Sequence, residues 1–272
     1  MGMVVRTNIM GINANRQLGM NNNQVSKSLE NLSSGYRINR AGDDASGLAI
    51  SEKMTAQIKG LEQASSNAQD AISLVQTAEG ATTEIHNMLN RMVELTTKAA
   101  NGIYDTGVDR PAIKAELDAL ATEISRITTS TKFNSTTLLD GTLSTQLQIG
   151  TEATDTLTVS VAALDATTLS VDALNVDSAA DANAALATVK EAINTVSTER
   201  ANLGAIQNRL EYTINNLDTT AENMSAANSR IRDTDMAKEM MNYTKMNVLT
   251  QAAQAMLAQA NQQPQAVLQL LQ

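Results

Sequence analysis

Apolar side chains recur at alternating steps of three and four residues along two long stretches of the chain. The first row begins at Leu61 and ends at Ala99; the second begins at Leu186, ends at Ile231 and is apolar at eleven of its fourteen positions. This spacing places each row on one face of an α-helix. Because the rows are similar in length and far apart in sequence, we expect the two helices to pair antiparallel, as in a coiled coil, and to bring the chain ends together.

Shorter elements are predicted between the two rows. Gly102 in "ANG" ends the first helix, and a further helix is predicted over 111–129, with Pro111 in its first turn. Alternating apolar and polar residues predict a β-hairpin over 146–161. Residues 162–183 are rich in Ala, Asp, Thr and Ser and have little periodicity, so they are interpreted as a surface loop with short irregular structure.

Both ends of the chain carry apolar stripes. The first 35 residues contain Ile9, Ile12, Leu18, Val25, Leu29 and Leu32, and the last 37 contain Met236, Met240, Tyr243, Met246, Leu249, Ala253, Met256 and Ala260. The second stripe is expected to end where Pro264 stops its helix. Two such helices leave apolar surface uncovered within one chain, which usually marks a contact site. We therefore expect ends that are disordered or loosely helical in the monomer and that fold together when neighbouring copies cover them.

Composition narrows the possible functions. Aromatic residues make up 2% of the chain, which favours an elongated helical bundle over a compact globule with bulky core side chains. The net charge of −9 argues against nucleic-acid binding, which needs a basic patch. No signal peptide and no stretch of ~18 apolar residues is visible, so we expect no membrane insertion, and any export would need a dedicated route.

The residue types that carry enzymatic chemistry are scarce. Cysteine is absent, and the single histidine, His86, lies one place off the first row with no nucleophile or carboxylate at a catalytic spacing. There is no phosphate-binding glycine loop, and Asp43 and Asp44 lack the regularly spaced oxygen ligands of a calcium loop. We therefore expect a protein that is not an enzyme and that holds no cofactor or metal.

The stretch "RINRAGDDASGLAI", residues 37–50, combines both signs of charge with two glycines. Its aspartates are interpreted as the N-terminal cap and charge complement of a helix that begins near Ala45. Both signs of charge at such a joint also suit contacts between neighbouring subunits. The residues expected to matter more for assembly than for folding are Arg37, Arg40, Asp43 and Asp44.

Four longer motifs resemble those of bacterial flagellin, the filament subunit. They are "SLENLSSGYRINRAGDDASGLAISEKM", "FNSTTLLDG", "RLEYTINNLDTTAENMSAANSRIRDTDMAKEM" and "QAMLAQANQQPQAVLQLL". The resemblance covers roughly residues 3–150 and 185–272, in the family's order. One departure is "FNS" where the family usually has "FNG", because Ser135 makes a tight turn with positive φ less favourable.

This resemblance implies a mainly α fold with an inner-core domain made of residues 1–43 and 232–272, where the N- and C-terminal helices pair. Residues 44–231 would form the outer-core domain of long helices with the hairpin. It further implies self-assembly into a helical filament, with Leu249 and Met256 at the subunit interface alongside the charged residues of 37–44. Export in unfolded form through the flagellar type III apparatus would make the chain a secreted, extracellular filament protein.

Further partners follow from the same resemblance. They are a flagellar export chaperone, the filament cap and the vertebrate flagellin-sensing toll-like receptor. The family's receptor-binding arginine, leucine and glutamate fall on Arg91, Leu95 and Glu116, the last if one residue is inserted after Gly102; otherwise they are ordinary solvated residues of a helix. The alternative is a hook-filament junction protein, which has similar helical ends, and a more distant one is a cytosolic coiled-coil adaptor.

Overall fold

The computed structural model describes residues 7–105 and 107–270, with side chains described as far as residue 262. Helices dominate these residues, and the strands are short. In chain order the elements are α1 (Ile9–Ser34), α2 (Ala45–Ala100), α3 (Asp109–Ser130), β1 (Lys132–Phe133), β2 (Thr136–Thr137), β3 (Ser144–Gln148), β4 (Thr156–Ser160), α4 (Ala179–Arg232) and α5 (Met236–Leu270). The prediction of a mainly α bundle of long helices with a small hairpin is confirmed.

The described residues divide into two compact units. The central unit is Gln57–Glu222, and the terminal unit combines Met1–Ala56 with Asn223–Gln272, within the limits just given. The division falls inside α2 and α4. The boundaries predicted from the sequence, 43/44 and 231/232, lie at the turns where α2 begins and α4 ends. The predicted domain division stays a prediction.

The core of the central unit follows the two apolar rows. Every member of the first row is buried, and as far as Leu217 the second row buries every second member: Val189, Val196, Leu203, Leu210 and Leu217. The Ser65 hydroxyl on α2 donates to the Asp218 carboxylate on α4 over 2.9 Å. This bond joins the first half of α2 to the second half of α4, as antiparallel pairing requires. The helix predicted over 111–129 is α3, which adds Ile113, Leu117 and Ile124 to the same core.

The interpretation of residues 162–183 as a surface loop is wrong. Their backbone is irregular up to the start of α4, but a set of apolar side chains enters the core: Leu164, Ala166, Leu169, Val171, Leu174 and Val176. Hydrogen bonds satisfy several of its backbone groups: Leu164 N–H donates to the Leu139 carbonyl over 3.1 Å and Val171 N–H to the Ala166 carbonyl over 2.8 Å. The apolar residues alternate in steps of two and three, which matches neither a helix nor a strand period.

Both short hairpins lie on the central core. Strands β3 and β4 pair antiparallel from Ser144↔Ser160 to Gln148↔Thr156, so the predicted hairpin is confirmed with its first strand two residues earlier. Strands β1 and β2 are joined by Asn134 and Ser135, both with positive φ, 44° and 68°. A two-residue hairpin turn of type I′ has positive φ at both central positions, so serine in place of glycine does not prevent the tight turn.

In the terminal unit, α1 packs directly against α5, which confirms that the N- and C-terminal helices pair. The residues that α1 buries are small or polar: Gly11, Asn21, Ser28 and Asn31. Main-chain bonds join the turns after α1 and α4: Arg37 N–H donates to the Arg232 carbonyl over 2.7 Å, and Thr234 N–H to Gly35 over 2.9 Å.

The expected end of the last helix at Pro264 is wrong, since α5 runs on to Leu270. A proline inside a helix deprives the carbonyl four residues earlier of its donor, which is Ala260 here. The Asn8 side chain donates to that carbonyl over 2.9 Å, so the break in the helical ladder is compensated from α1.

Candidate functional site

Exposed apolar side chains concentrate in the terminal unit. Of the sixteen large hydrophobic side chains that are exposed among the described residues, thirteen belong to it: Ile9, Met10, Ile12, Met20, Leu29, Tyr36, Ile50, Met236, Met240, Met241, Val248, Leu249 and Met256. By contrast, Ile38 is the one large apolar side chain that this unit buries among its described side chains.

The helix pair buries few large apolar side chains fully, although Leu18, Val25 and Leu32 on α1 and Tyr243, Met246 and Leu257 on α5 are half-buried. The exposed apolar residues named above face outwards. Each large apolar side chain left in water forgoes about 1.5–3 kcal/mol of burial free energy. Exposed apolar residues concentrated on one unit of a monomer are typical of a protein interaction site. The terminal unit is therefore built to be covered by something outside its own chain.

The predicted interface residues Leu249 and Met256 lie on this surface. They are seven residues apart on α5 and so share one face, and their exposed fractions are 41% and 64%. Leu249 also lines an open, mostly apolar groove together with Met240, Met241, Thr244, Lys245 and Val248. Both residues are accessible to a neighbour, and their role in the interface stays a prediction.

The charged residues of the turn between α1 and α2 all have partners within the chain. Asp44 caps α2 by accepting from Gly47 N–H over 2.9 Å, which confirms the cap and the helix start at Ala45. The interpretation of Asp43 as part of this cap is wrong, because its carboxylate accepts from Lys27 over 2.7 Å and from the Asn39 and Arg40 N–H groups over 3.1 Å each.

The arginines of the same turn are also paired. The Arg37 guanidinium donates to the Ile231 carbonyl over 2.6 Å, and Arg40 Nε donates to Glu30 over 3.0 Å. The Arg40 side chain is nevertheless 75% exposed, so it is accessible to a second copy. Contacts of the four with neighbouring subunits stay a prediction.

The electrostatics of this turn depend on hydrogen bonds at its two aspartates. The Lys27 ammonium, followed by the N–H groups of Arg40 and Asn39, lowers the pKa of Asp43 below its ordinary value. The Gly47 N–H and the Ser46 hydroxyl lower the pKa of Asp44 in the same way. Both carboxylates are therefore charged at neutral pH, where they hold the turn closed.

The three predicted receptor-binding residues border one cleft in the central unit. Arg91 on α2 forms ion pairs with Glu116 on α3 over 2.9 Å and with Glu94 over 2.8 Å, and these two carboxylates raise the pKa of Arg91. Leu95 lines the cleft but is 3% exposed, so it does not share the exposed face of the other two. Tyr104, which sequence reasoning did not single out, also lines this cleft, and its ring lies 5.3 Å from Lys98 Nζ.

Other sites are not evident in the described part of the chain. Residues 7–105 and 107–270 contain no group of three or more His, Asp or Glu side chains arranged to hold a metal ion. Among the helices described, none combines the length and apolarity that a bilayer span requires. The apolar surface of the terminal unit is thus the feature with the clearest functional meaning.

Comparison with known proteins places both ends of the chain in one family. The family models for the bacterial flagellin N-terminal and C-terminal helical regions match residues 5–144 and 186–271. The chain belongs to the bacterial flagellin family. Full-length flagellins from Halalkalibacterium halodurans and Bacillus subtilis are 52% and 51% identical to it, each covering 99% of this chain and 100% of the relative. The flagellar filament 33 kDa core protein of Treponema phagedenis is 46% identical over the same shares.

Solved structures agree with the flagellin fold. The crystal structure of Bacillus cereus flagellin matches with a TM-score of 0.50 and 33% identity over 60% of this chain and 94% of that one. A hook-associated protein structure from Vibrio parahaemolyticus matches with a TM-score of 0.60 but 14% identity, over 70% of this chain and 100% of that one. The second likeness concerns the fold alone, so a flagellin rather than a junction protein is the family of this chain.

Proposed function

We propose that this flagellin is the structural subunit of a flagellar filament, in which neighbouring copies cover the outward apolar faces of α1 and α5. The observation that carries this proposal is the terminal unit itself, with thirteen large apolar side chains exposed and Ile38 alone buried among those described. The role is mechanical rather than catalytic, because the chemistry of this surface is burial and not bond making.

Repetition of one such contact between copies explains a filament. Faces on α1 and α5 that bind a different surface of the next copy make a heterologous contact, and a heterologous contact whose rotation does not close gives an open helical polymer. The central unit carries its own buried core, so we expect it to fold without a neighbour. The filament would therefore be held together through the terminal unit.

Export and location follow as further parts of the proposal. A terminal unit without a core of its own costs little to unfold, which suits passage of an unfolded chain through the flagellar type III apparatus to the cell exterior. An export chaperone would cover the groove beside Met240, Met241, Val248 and Leu249 before export, and the filament cap would receive the chain at the growing end. Neither partner involves nucleic acid or membrane insertion.

The test is seeded filament growth by a chain in which both predicted interface residues on α5 are made polar. We expect Leu249→Ser with Met256→Ser to abolish elongation while the helical circular dichroism of the central unit persists. The matched control is Gln251→Ser with Gln254→Ser, two exposed polar positions on the same helix, which should elongate as the unchanged chain does.

Truncation of residues 236–272 gives a stronger version of the same test. The remainder keeps the paired rows of the central unit, so it should stay soluble and helical, yet it should fail to extend seeds. Normal growth by the truncated chain would overturn the mechanism. Electron microscopy of the unchanged chain distinguishes a filament subunit from a hook-filament junction protein. A junction protein would give short rings or no polymer rather than long filaments.

A second proposed function is recognition by the flagellin-sensing toll-like receptor. It is favoured by the ion pair that holds Arg91 and Glu116 together beside Leu95 in one cleft. Arginine at the centre of a contact is a frequent source of binding energy. The position of Leu95 in the core means that it would act by shaping the cleft rather than by exposing its own side chain.

Receptor affinity of three variants tests this second function. Arg91→Ala with Glu116→Ala should weaken binding at least tenfold, and addition of Leu95→Met, which conserves volume, should leave the fold intact. The matched control removes another exposed ion pair, Arg126 with Glu123 on α3, joined over 2.6 Å. Equal affinities for the Arg91 and Arg126 variants would refute the assignment.

A further inference from the structure

The seam between α1 and α5 is only partly buried. The residues that α1 buries fully are Gly11, Asn21, Ser28 and Asn31, and the larger Leu18, Val25 and Leu32 are half-buried. Large side chains that interlock fix the register of two paired helices, so a shallow seam holds the pair less firmly against a slip of one turn, about 5.4 Å. Contacts at the ends of the pair therefore add to what the seam provides.

One end is fixed by the main chain. Thr234 N–H donates to the Gly35 carbonyl over 2.9 Å, and Arg37 N–H donates to the Arg232 carbonyl over 2.7 Å. These bonds hold the turn after α1 beside the turn that precedes α5. The far end of the pair lies about 40 Å away at 1.5 Å per residue, so bending or slippage accumulates unless a second contact exists there.

Asn8 supplies a contact at the far end. Its amide nitrogen donates to the Ala260 carbonyl over 2.9 Å and lies 3.4 Å from Asn261 Oδ1, while its oxygen accepts from Gly11 N–H over 2.9 Å. One side chain thus caps α1 and binds α5 at the same time.

Pro264 makes the Ala260 carbonyl distinct from its neighbours. The chain has two prolines, and Pro264 is the one within α5. Because proline has no N–H, the carbonyl four residues before it receives no helical bond, and every other interior carbonyl of α5 has a backbone donor available. Sliding by one turn would put Asn8 beside a carbonyl that is already bonded, so a single position satisfies both groups.

Gly11 provides the space that this contact requires. A Cβ at residue 11 would lie 2.8 Å from Asn8 Nδ2 and 3.2 Å from Asn261 Oδ1. Gly19, in the same helix, has no atom within 4 Å of the equivalent position. Glycine at 11 is therefore needed for the close approach of Asn8 to α5, which any side chain would disturb.

We infer that Asn8 sets the register of α1 against α5 by bonding the carbonyl that Pro264 leaves without a helical donor. The two contact points are spaced alike on both helices, since Asn8 precedes Gly35 by 27 residues and Ala260 follows Thr234 by 26. The consequence of this register for assembly rests on the proposed function. The correct register aligns the exposed residues at the start of α1 with Met256 on α5, so that a neighbouring copy meets one continuous surface.

A double-mutant cycle in the full-length polymerised chain tests this inference. Asn8→Ser keeps the helix cap, because serine caps as well as asparagine, but its side chain is too short to reach Ala260. Pro264→Ala gives the Ala260 carbonyl a helical donor of its own. The measurement is backbone hydrogen exchange in residues 257–268, read by mass spectrometry.

We expect Asn8→Ser to speed this exchange roughly three- to tenfold, the effect of losing one hydrogen bond, and to change it less than twofold when Pro264→Ala is present. Gly11→Ala should match Asn8→Ser, and Gly19→Ala should leave the exchange unchanged. Equal effects of Asn8→Ser in both backgrounds, or no effect of Gly11→Ala, would overturn the inference. Failure of the unchanged chain to polymerise would instead contradict the proposed function, and the cycle is then measured on the free chain with the same criteria.

Discussion

At the scale of single residues, the glycines of α2 differ in what surrounds them. A Cβ at Gly60 would lie 2.9 Å from Thr151 Cγ2, in the loop between β3 and β4, whereas a Cβ at Gly80 would meet nothing within 4 Å. Glycine at position 60 thus lowers the helix propensity of α2, but it leaves room for the loop to approach the helix. The cost of both glycines is visible in the sequence; the contact at Gly60 is not, because the loop residue is about 90 positions away.

This difference predicts opposite results for two similar substitutions. Gly80→Ala should raise the free energy of unfolding by about 0.5–1 kcal/mol through better helix propensity. Gly60→Ala should gain less or lose stability, because Thr151 has to move. Thermal unfolding measures both, and adding Thr151→Ser, which removes the clashing methyl group, should restore the gain. A full gain from Gly60→Ala alone would mean that the loop does not rest on α2.

Asp43 gives a residue-scale prediction for pH. Its pKa is lowered in the folded turn, so its stabilising contribution is fully present above the ordinary value of about 3.9 and is lost as pH falls through the lower folded value. In the polymerised chain, the amide signals of Asn39 and Arg40 should therefore titrate with a midpoint below about 3.9. Lys27→Met removes the largest cause and should move that midpoint upwards, while Lys53→Met should not.

At the scale of elements, the sequence predicts regular structure well and irregular structure poorly. The rows from Leu61 and Leu186 have a helical period, and both became long helices with those residues at the core. The segment after β4 has no period, so its buried residues were not recognised. The hydrogen bond that Asn8 donates to Ala260, next to the break at Pro264, joins residues more than 250 positions apart, and no local pattern reveals such a contact.

The irregular segment gives the prediction at this scale. Leu164→Ala should lower the free energy of unfolding by about 2–5 kcal/mol, because Leu164 is fully buried and its loss leaves a cavity. The control is Ile103→Ala, at a side chain that is 81% exposed, which should change stability by less than about 0.5 kcal/mol. Chemical denaturation compares the two. Similar small effects would mean that the segment does not belong to the core.

At the scale of the whole molecule, the two units differ in how their stability is supplied. The central unit buries its apolar rows within the chain, and the terminal unit exposes its own. The site residues show what sequence reasoning cannot reach. The ion pair of Arg91 with Glu116 joins two helices that lie apart in sequence, and the burial of Leu95 depends on how the helices pack. Local sequence named these residues by family resemblance, while their geometry required the fold.

Limited proteolysis tests the contrast between the units. In the free chain we expect trypsin to cut first after Arg16, Lys27, Lys238 and Lys245, which lie on α1 and α5, and to leave a fragment that retains the central unit. In filaments the same four sites should be protected, because neighbouring copies cover the helices. Protection of these sites in the free chain would contradict the expectation that the ends order on assembly.

The missing core of the terminal unit also bears on how a polymer begins. Ordering a residue's backbone costs about 1–2 kcal/mol, and two free chains that meet can cover only part of each other's apolar faces, so the first few copies gain too little burial to offset that cost. A finished tip presents several neighbours at once. Spontaneous nucleation should therefore be rare and preceded by a long lag phase, while addition to an existing tip has no lag, which keeps subunits from polymerising before they arrive there.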